Sequence, residues 1–357
     1  MPPSPPKKPY RVVQWSTGNV GTQTLRAICA SPGLELVGCH AWSPDKVGKD
    51  AGVLAGIDPV GVLATDDIDA LVALAPDCVC YTPIWPDVDV LCRLLEAGID
   101  VSTTAHFLTG HGYLGDAKRE RVAKACAAGG STIFGTGMHP GFSNLLALVA
   151  AGACSRIDRI VITESQDASG YASAETQRSV GFDHPVDEPG LDALARDGSL
   201  VFADGLHVMA DALGIALDDV RFEARYAPAT QDDDLGFMTI RKGHVAGIEG
   251  RWHGIRGGRV VFDVGFKWKM GRYVEEPWPI EHAYLVEIQG MPTLRLRTEI
   301  RPPKDFVARS AEDWMQLGMI ITGLPAVHAI PAVCEAEPGI RTYADLPLVT
   351  ARGFVAP

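Results

Sequence analysis

Three groups of residues in this chain have types and spacings that could do chemistry. The stretch "QWSTGNVGTQTL" (14–25) sets Gly18 and Gly21 three apart, between the apolar run Arg11-Val12-Val13-Gln14-Trp15 and a run of helical spacing. Glycines at such a turn let backbone amides close on a phosphate, and the positive end of the following helix favours its charge. Ser16, Thr17, Gly18, Asn19, Val20 and Gly21 are therefore a candidate diphosphate cradle, with Ser16 standing where a GxGxxG turn has its first glycine. The second group could carry protons: His106, with an ordinary pKa near neutrality, and Glu164, at the end of an apolar strand from which it could reach a cleft. His106 could equally cap its loop by hydrogen bonding, and Glu164 could be a buried carboxylate paired with an arginine such as Arg178. Trp85, Met138, His139 and Tyr171 form the third group, candidates for a substrate pocket, with core packing or turn shaping as the other reading.

The elements that must position these residues change character along the chain. Over the first 150 residues, short apolar runs ("RVVQWS", "LELVGCHAWS", "CVCYTP", "IDVST", "STIFGTG") alternate with amphipathic ones such as "WPDVDVLCRLLEAG" and "DAKRERVAKACAAGG". Strands apolar throughout and linked by helices are buried on both faces, which predicts a doubly wound, Rossmann-like parallel sheet with right-handed crossovers. After about residue 157, segments such as "IDRIVITESQ" and "AYLVEIQGMPTLRLRTEI" alternate polar and apolar residues, as antiparallel strands with one wet face do. The "RGGR" at 256–259 is a hairpin candidate. The expected layout is an α/β chain: an arm over 1–9, a dinucleotide-binding domain over 10–150, an α+β domain with a mostly antiparallel sheet over 151–310, and a helical segment over 311–357 that packs back on the first domain.

Composition excludes several classes. A net charge of −12 argues against a general nucleic-acid or anionic-membrane binder. No apolar run approaches the roughly 18 residues needed to cross a bilayer, and "MPPSPPKKPY" has no apolar core of the signal-peptide kind. The eight cysteines lie mostly in apolar segments without a CxxC pair, which fits buried, reduced thiols in a cytoplasmic protein and no metal site.

Within a parallel sheet, ligands lie at the carboxyl ends of the strands. Thr82 and Pro83 end the third predicted strand, Thr103 and Thr104 the fourth, so these four should flank a nicotinamide ribose. An NAD-selective fold usually ends its second strand in an acid that accepts from the ribose 2′-hydroxyl. Here that tip is His40-Ala41-Trp42-Ser43-Pro44-Asp45-Lys46. Ser43 and Lys46 suit the 2′-phosphate of NADP(H), the preferred cofactor on this reading, while Asp45 leaves NAD(H) open.

These residues, together with "GTGMHPGF" (135–142), "ESQDASGYAS" (164–173), "LVGCHAWSPDKVGKDAGVLAG" and the tail "AVHAIPAVCEAEPGI", resemble the dihydrodipicolinate-reductase-like oxidoreductases. The likeness is to the branch holding 2,4-diaminopentanoate dehydrogenase and the native amine dehydrogenases, and it runs over nearly the whole chain. It implies an NAD(P)H-dependent enzyme, usually a homodimer, that reduces a C=N bond formed from a small carbonyl compound and ammonia, or oxidises the amine. Two departures stand out. The reductases of lysine biosynthesis carry a His-His-x-x-Lys segment that Glu164-Ser165-Gln166-Asp167-Ala168-Ser169 lacks, which argues against dihydrodipicolinate as substrate. The amine dehydrogenases carry a glutamate in the loop after the fourth strand, where Thr103–Leu108 has no acid and His106 stands instead. A carbonyl (alcohol) dehydrogenase on the same scaffold, or a non-catalytic dinucleotide sensor, are the alternatives.

Overall fold

Val12, Val13 and Trp15 alternate sides along one strand, and all three are buried, as they must be in a strand covered on both faces. In the computed structural model, which describes residues 8–355, this strand is β1 (Tyr10–Trp15), an inner strand of a parallel sheet. Residues 1–7 of the expected arm lie outside the described residues. β2 (Leu34–His40) and β3 (Ala64–Thr65) extend the sheet on one side of β1; β4 (Cys78–Tyr81), β5 (Asp100–Thr103) and β6 (Thr132–Gly135) extend it on the other. The crossovers are α1 (Asn19–Ala30), α2 (Ala51–Ala55), α3 (Ile68–Ala73), α4 (Val88–Glu96) and α5 (Asp116–Gly129). Asp50, Asp67 and Asp87 start α2, α3 and α4 by accepting hydrogen bonds from first-turn amides, the local reason these helices begin where they do. Residues 51–73 had shown no element in the sequence, because a two-residue strand and helices of five and six residues are too short for periodicity to register.

By its contacts the chain divides into two units: residues up to Phe142 together with those from Gly318, and Ser143–Leu317. The second unit holds α6 (Ser143–Ala151), β7 (Arg156–Asp167), α7 (Ala174–Ser179), α8 (Leu191–Gly198), α9 (Leu200–Ala212), β8 (Asp219–Pro228), the short pair β9 (Asp233–Asp234) and β10 (Thr239–Ile240), then β11 (Val245–Arg256), β12 (Arg259–Lys269), β13 (Ala283–Met291) and β14 (Leu294–Thr298). Its six-stranded sheet runs β14-β13-β7-β12-β11-β8, antiparallel except for β12 beside β7. Phe262, Val264 and Phe266 point to the buried face, while Asp263, Lys267 and Arg251 occupy the other. Gly257 and Gly258 turn the β11–β12 hairpin with positive φ at both positions (58° and 71°), the type I′ geometry that only such residues adopt freely. Helix α9 carries no signal in the sequence because it is buried nearly all round, from Val201 to Ala210, and so shows no apolar stripe.

The chain returns to the first unit through α10 (Ala311–Cys334) and β15 (Gly339–Arg341), which pairs parallel to β6. Although the sequence shows no unbroken apolar run of that length, the 22-residue span Asp313–Cys334 holds an 18-residue window of mean hydropathy 1.7, long and apolar enough by length and composition alone to cross a membrane. Its second half is core. Val327 and Ile330 pack with Val12, Ile28, Cys78 and Cys80; Ala329 and Val333 pack with Phe134. Ser102 Oγ donates to the Ala326 carbonyl at 2.7 Å, tying the helix to β5. The cysteines also differ from expectation in part: all eight are free thiols, but Cys29 is exposed and Cys154 and Cys334 are half-buried.

Ile330 is fully buried, so Ile330→Ala leaves a cavity in the first unit and is expected to lower stability by about 2–5 kcal/mol. A urea midpoint unchanged from wild type would show that the C-terminal helix is not part of that core.

Candidate nucleotide-binding and proton-transfer residues

The turn after β1 is built to a close tolerance. Ser16 has φ 84°, the left-handed region that glycine enters freely, and this is where a GxGxxG turn carries its first glycine. A Cβ at Gly21 would lie 2.3 Å from the Ser16 carbonyl oxygen, so helix α1 can approach the turn only with glycine there. At Gly18 the case is opposite: a Cβ would meet nothing nearer than Ser16 Oγ at 3.8 Å, which leaves the backbone accessible. Gly18 is also the N-cap of α1; no side chain caps the helix and its first turn holds no acid. The positive end of α1 thus faces this turn with no acid beside it, and these residues fit the diphosphate of a dinucleotide. Beneath them, fully buried Gln14 donates through Nε2 to the Ser16 carbonyl and to Thr82 Oγ1, both at 2.9 Å, and accepts from Thr24 Oγ1 at 2.8 Å.

The β2 tip is tied to the same turn. Ser16 N–H donates to the His40 carbonyl at 3.1 Å, and Lys46 Nζ donates to the Thr17 carbonyl at 2.9 Å. The Ser43 hydroxyl donates to Asp45, whose carboxyl it holds below the usual range. The tip therefore carries an anion beside its cation. Burial lowers the His40 imidazole below its usual pKa, with Asp66 pulling the other way.

At the ends of β4 and β5 the hydroxyls serve the fold. Thr82 Oγ1 donates to the Trp15 carbonyl at 2.9 Å, and Thr103 Oγ1 accepts from Ala105 N–H at 2.9 Å; Thr103 is fully buried. Pro83 and Thr104 keep partial exposure. In the following loop, His106 N–H donates to the Ile84 carbonyl at 2.9 Å, and its ring stands edge-on to Trp85 with centroids 4.5 Å apart. Tyr113 stacks on Trp85 at 5.0 Å and closes the cluster from the His106 side at 6.1 Å. Two residues singled out separately, Trp85 and His106, thus stand together; Tyr113, in the glycine-rich run that follows, had no periodicity to mark it. Met138, buried, and His139, half-buried, lie in the segment after β6.

Within the second unit, Glu164 on β7 sits opposite Phe266 of β12 and Tyr284 of β13. Trp268 Nε1 donates to Glu164 Oε1 at 3.1 Å, and Phe266 and Trp268 stack at 3.9 Å. Among the described residues no Lys or Arg forms an ion pair with Glu164; Arg178 lies 3.8 Å from Asp183, so the Glu164–Arg178 pairing weighed from the sequence is not formed. Burial among these rings pushes the Glu164 carboxyl up to about 8, the indole N–H pulling the other way, which makes it a group that exchanges its proton near neutral pH. Tyr171 follows the strand, its phenol raised by burial and its carbonyl accepting from Gln177 Nε2 at 3.1 Å. Among the described residues no three His, Cys, Asp or Glu side chains converge as metal ligands.

A parallel sheet with this turn after its first strand, joined to a unit with a large mixed sheet, defines an oxidoreductase of the dinucleotide-binding class. The family model of the 2,4-diaminopentanoate dehydrogenase C-terminal domain matches residues 143–353. The amine dehydrogenase of Streptomyces virginiae is 31% identical over 356 residues, covering 96% of this chain and 97% of that one. The 4-hydroxy-tetrahydrodipicolinate reductase of an Anaeromyxobacter species is 34% identical over 142 residues, 40% of this chain and 50% of that protein. Among solved structures, the amine dehydrogenase of Mycobacterium smegmatis shares the fold with a TM-score of 0.78 at 20% identity, over 97% of this chain and 98% of that one. The chain belongs to the amine dehydrogenase and 2,4-diaminopentanoate dehydrogenase family, as its turn and its "GTGMHPGF" and "ESQDASGYAS" segments had implied.

The Glu164 carboxyl binds its proton more tightly folded than unfolded, so it costs nothing below its ordinary value of 4.5 and destabilises the fold as pH rises from there through about 8. Glu164→Gln should match wild type in melting temperature at pH 5 and exceed it at pH 9 by about 2–4 °C, or about 1 kcal/mol once partial solvent access is allowed for. Equal melting curves at pH 9 would refute the raised pKa.

Proposed function

We propose that the protein is an amine dehydrogenase that reduces the C=N bond formed from a small carbonyl compound and ammonia, and oxidises the amine in reverse. The full-length likeness to the Streptomyces virginiae enzyme carries this reading, and the turn geometry supports a nicotinamide dinucleotide as redox partner. NADP(H) is preferred on the strength of the Lys46 ammonium beside the turn, and NAD(H) is accepted as well, since Asp45 offers a carboxylate to a 2′-hydroxyl. The enzyme acts as a cytoplasmic homodimer.

A bound nicotinamide supplies or takes up the hydride. The chain's own residues bind, orient and move protons. The first-turn amides of α1 hold the diphosphate, and Pro83 and Thr104 flank the nicotinamide ribose, with Thr82 and Thr103 fixing the strand ends beneath. His106 handles the proton of the substrate nitrogen in the loop where related enzymes carry a glutamate; an imidazole can take that proton and return it at neutral pH. Trp85, Met138, His139 and Tyr171 contact the substrate. Glu164 is the second proton carrier, its raised pKa matching the task that an acid-free loop leaves open.

NADPH oxidation with small ketones should require ammonia. Turnover without ammonia would make the protein a carbonyl reductase, the reading that a loop with a histidine and no acid also suits; tight NADPH binding without turnover on any carbonyl would make it a sensor. His106→Ala should lower kcat by about 100-fold or more while changing the calorimetric Kd for NADPH less than about twofold. An unchanged kcat removes His106 from the mechanism.

A further inference from the structure

Trp42 is 64% exposed, although it follows within two residues of the end of a buried strand. The other aromatic rings at these strand ends, Trp15 and Tyr81, are buried. The segment that carries Trp42 is held at both ends to the diphosphate turn. On one side, Ser16 N–H donates to the His40 carbonyl at 3.1 Å, and the His40 ring lies flat on Trp15 with centroids 4.1 Å apart and planes 10° from parallel. Ala41 N–H donates to the Thr65 carbonyl at 3.0 Å. On the other side, Lys46 Nζ donates to the Thr17 carbonyl at 2.9 Å, and Lys46 N–H to the Ser43 carbonyl at 2.8 Å. The position of the loop is therefore set by hydrogen bonds to the turn, and the indole adds little to it.

A large ring that leaves most of its surface in water gains little from folding, whereas a flat base laid on it would cover that surface. The base of a dinucleotide whose diphosphate lies on the α1 amides is the flat group that a ring beside the second strand can meet. We propose that Trp42 is the platform on which the adenine of the cofactor stacks, so that this loop recognises a purine 5′-diphosphate by its π-face. The proposal rests on the dinucleotide reading of the turn and adds to it the residue that holds the base.

Calorimetry on the full-length protein tests this with three probes: NADPH, 2′,5′-ADP, which keeps the adenosine half, and reduced nicotinamide mononucleotide, which lacks it. Base–aromatic stacking contributes about 1–3 kcal/mol, so Trp42→Ala should weaken NADPH and 2′,5′-ADP about tenfold or more. Trp42→Phe should restore both to within about threefold of wild type, and the mononucleotide should bind wild type and Trp42→Ala alike. Tryptophan emission should fall on adding 2′,5′-ADP to wild type and fall much less in Trp42→Ala. Equal affinity of wild type and Trp42→Ala for 2′,5′-ADP overturns the proposal, as does an equal loss for the mononucleotide. A change in sedimentation alone, with nucleotide affinity intact, also overturns it and assigns the ring to a protein contact. If wild type binds none of the three probes, the dinucleotide reading itself fails, an outcome distinct from a failure of Trp42.

Discussion

Everything at the carboxyl edge of the first sheet hangs on the amide of Gln14. It is fully buried, and a buried amide must have partners for its donors and its acceptor. It finds them in the Ser16 carbonyl, Thr82 Oγ1 and Thr24 Oγ1, one on the turn, one on the neighbouring strand and one on the helix that follows. That side chain holds the same Ser16 carbonyl that a Cβ at position 21 would meet at 2.3 Å, in a turn where Ser16 takes a left-handed conformation. The accessible backbone at Gly18 is the outward face of the same arrangement.

Each unit places one kind of chemistry in a different setting. In the first, Lys46 donates to the Thr17 carbonyl and Ser43 to the Asp45 carboxylate, so both are oriented groups rather than loose surface side chains. In the second, Glu164 has an indole and phenyl rings for company in place of a cation, and its proton affinity rises accordingly. The charged residues that might have quenched it are occupied elsewhere: Arg178 and Arg241 converge on buried Asp183, and Arg251 and Arg159 on Asp263.

Much of this was legible in the residues. The five long strands of the first sheet, the hairpin at Gly257-Gly258 and the glycine turn each carry a local signal: apolar runs, positive-φ residues and a strand-to-helix switch. The segment 51–73 and helix α9 carry none, the first because its elements are too short and the second because burial on all sides erases amphipathicity. Charge partnerships were the least legible. Nothing in the chain order says that Arg178 turns to Asp183, five residues on, while Glu164 meets Trp268, over a hundred residues away. Tyr113 joined Trp85 and His106 for the same reason, since loops bring side chains together without periodicity. The apolar stretch of α10 is not an unbroken run, because Thr322, Pro325, His328 and Pro331 interrupt it, and only a mean over an 18-residue window brings it out.

The first unit is discontinuous: its sheet begins with β1, but Val327, Ile330, Ala329, Val333 and the edge strand β15 arrive only after the whole second unit has passed. On a ribosome, this means that the glycine turn is made early yet stands on an unfinished core until the last stretch of chain emerges. The second unit, whose residues are contiguous, can close first. Ability to hold a nucleotide is then a late acquisition during synthesis, and a chain cut short after the second unit would keep its mixed sheet while leaving Val12 and Phe134 uncovered.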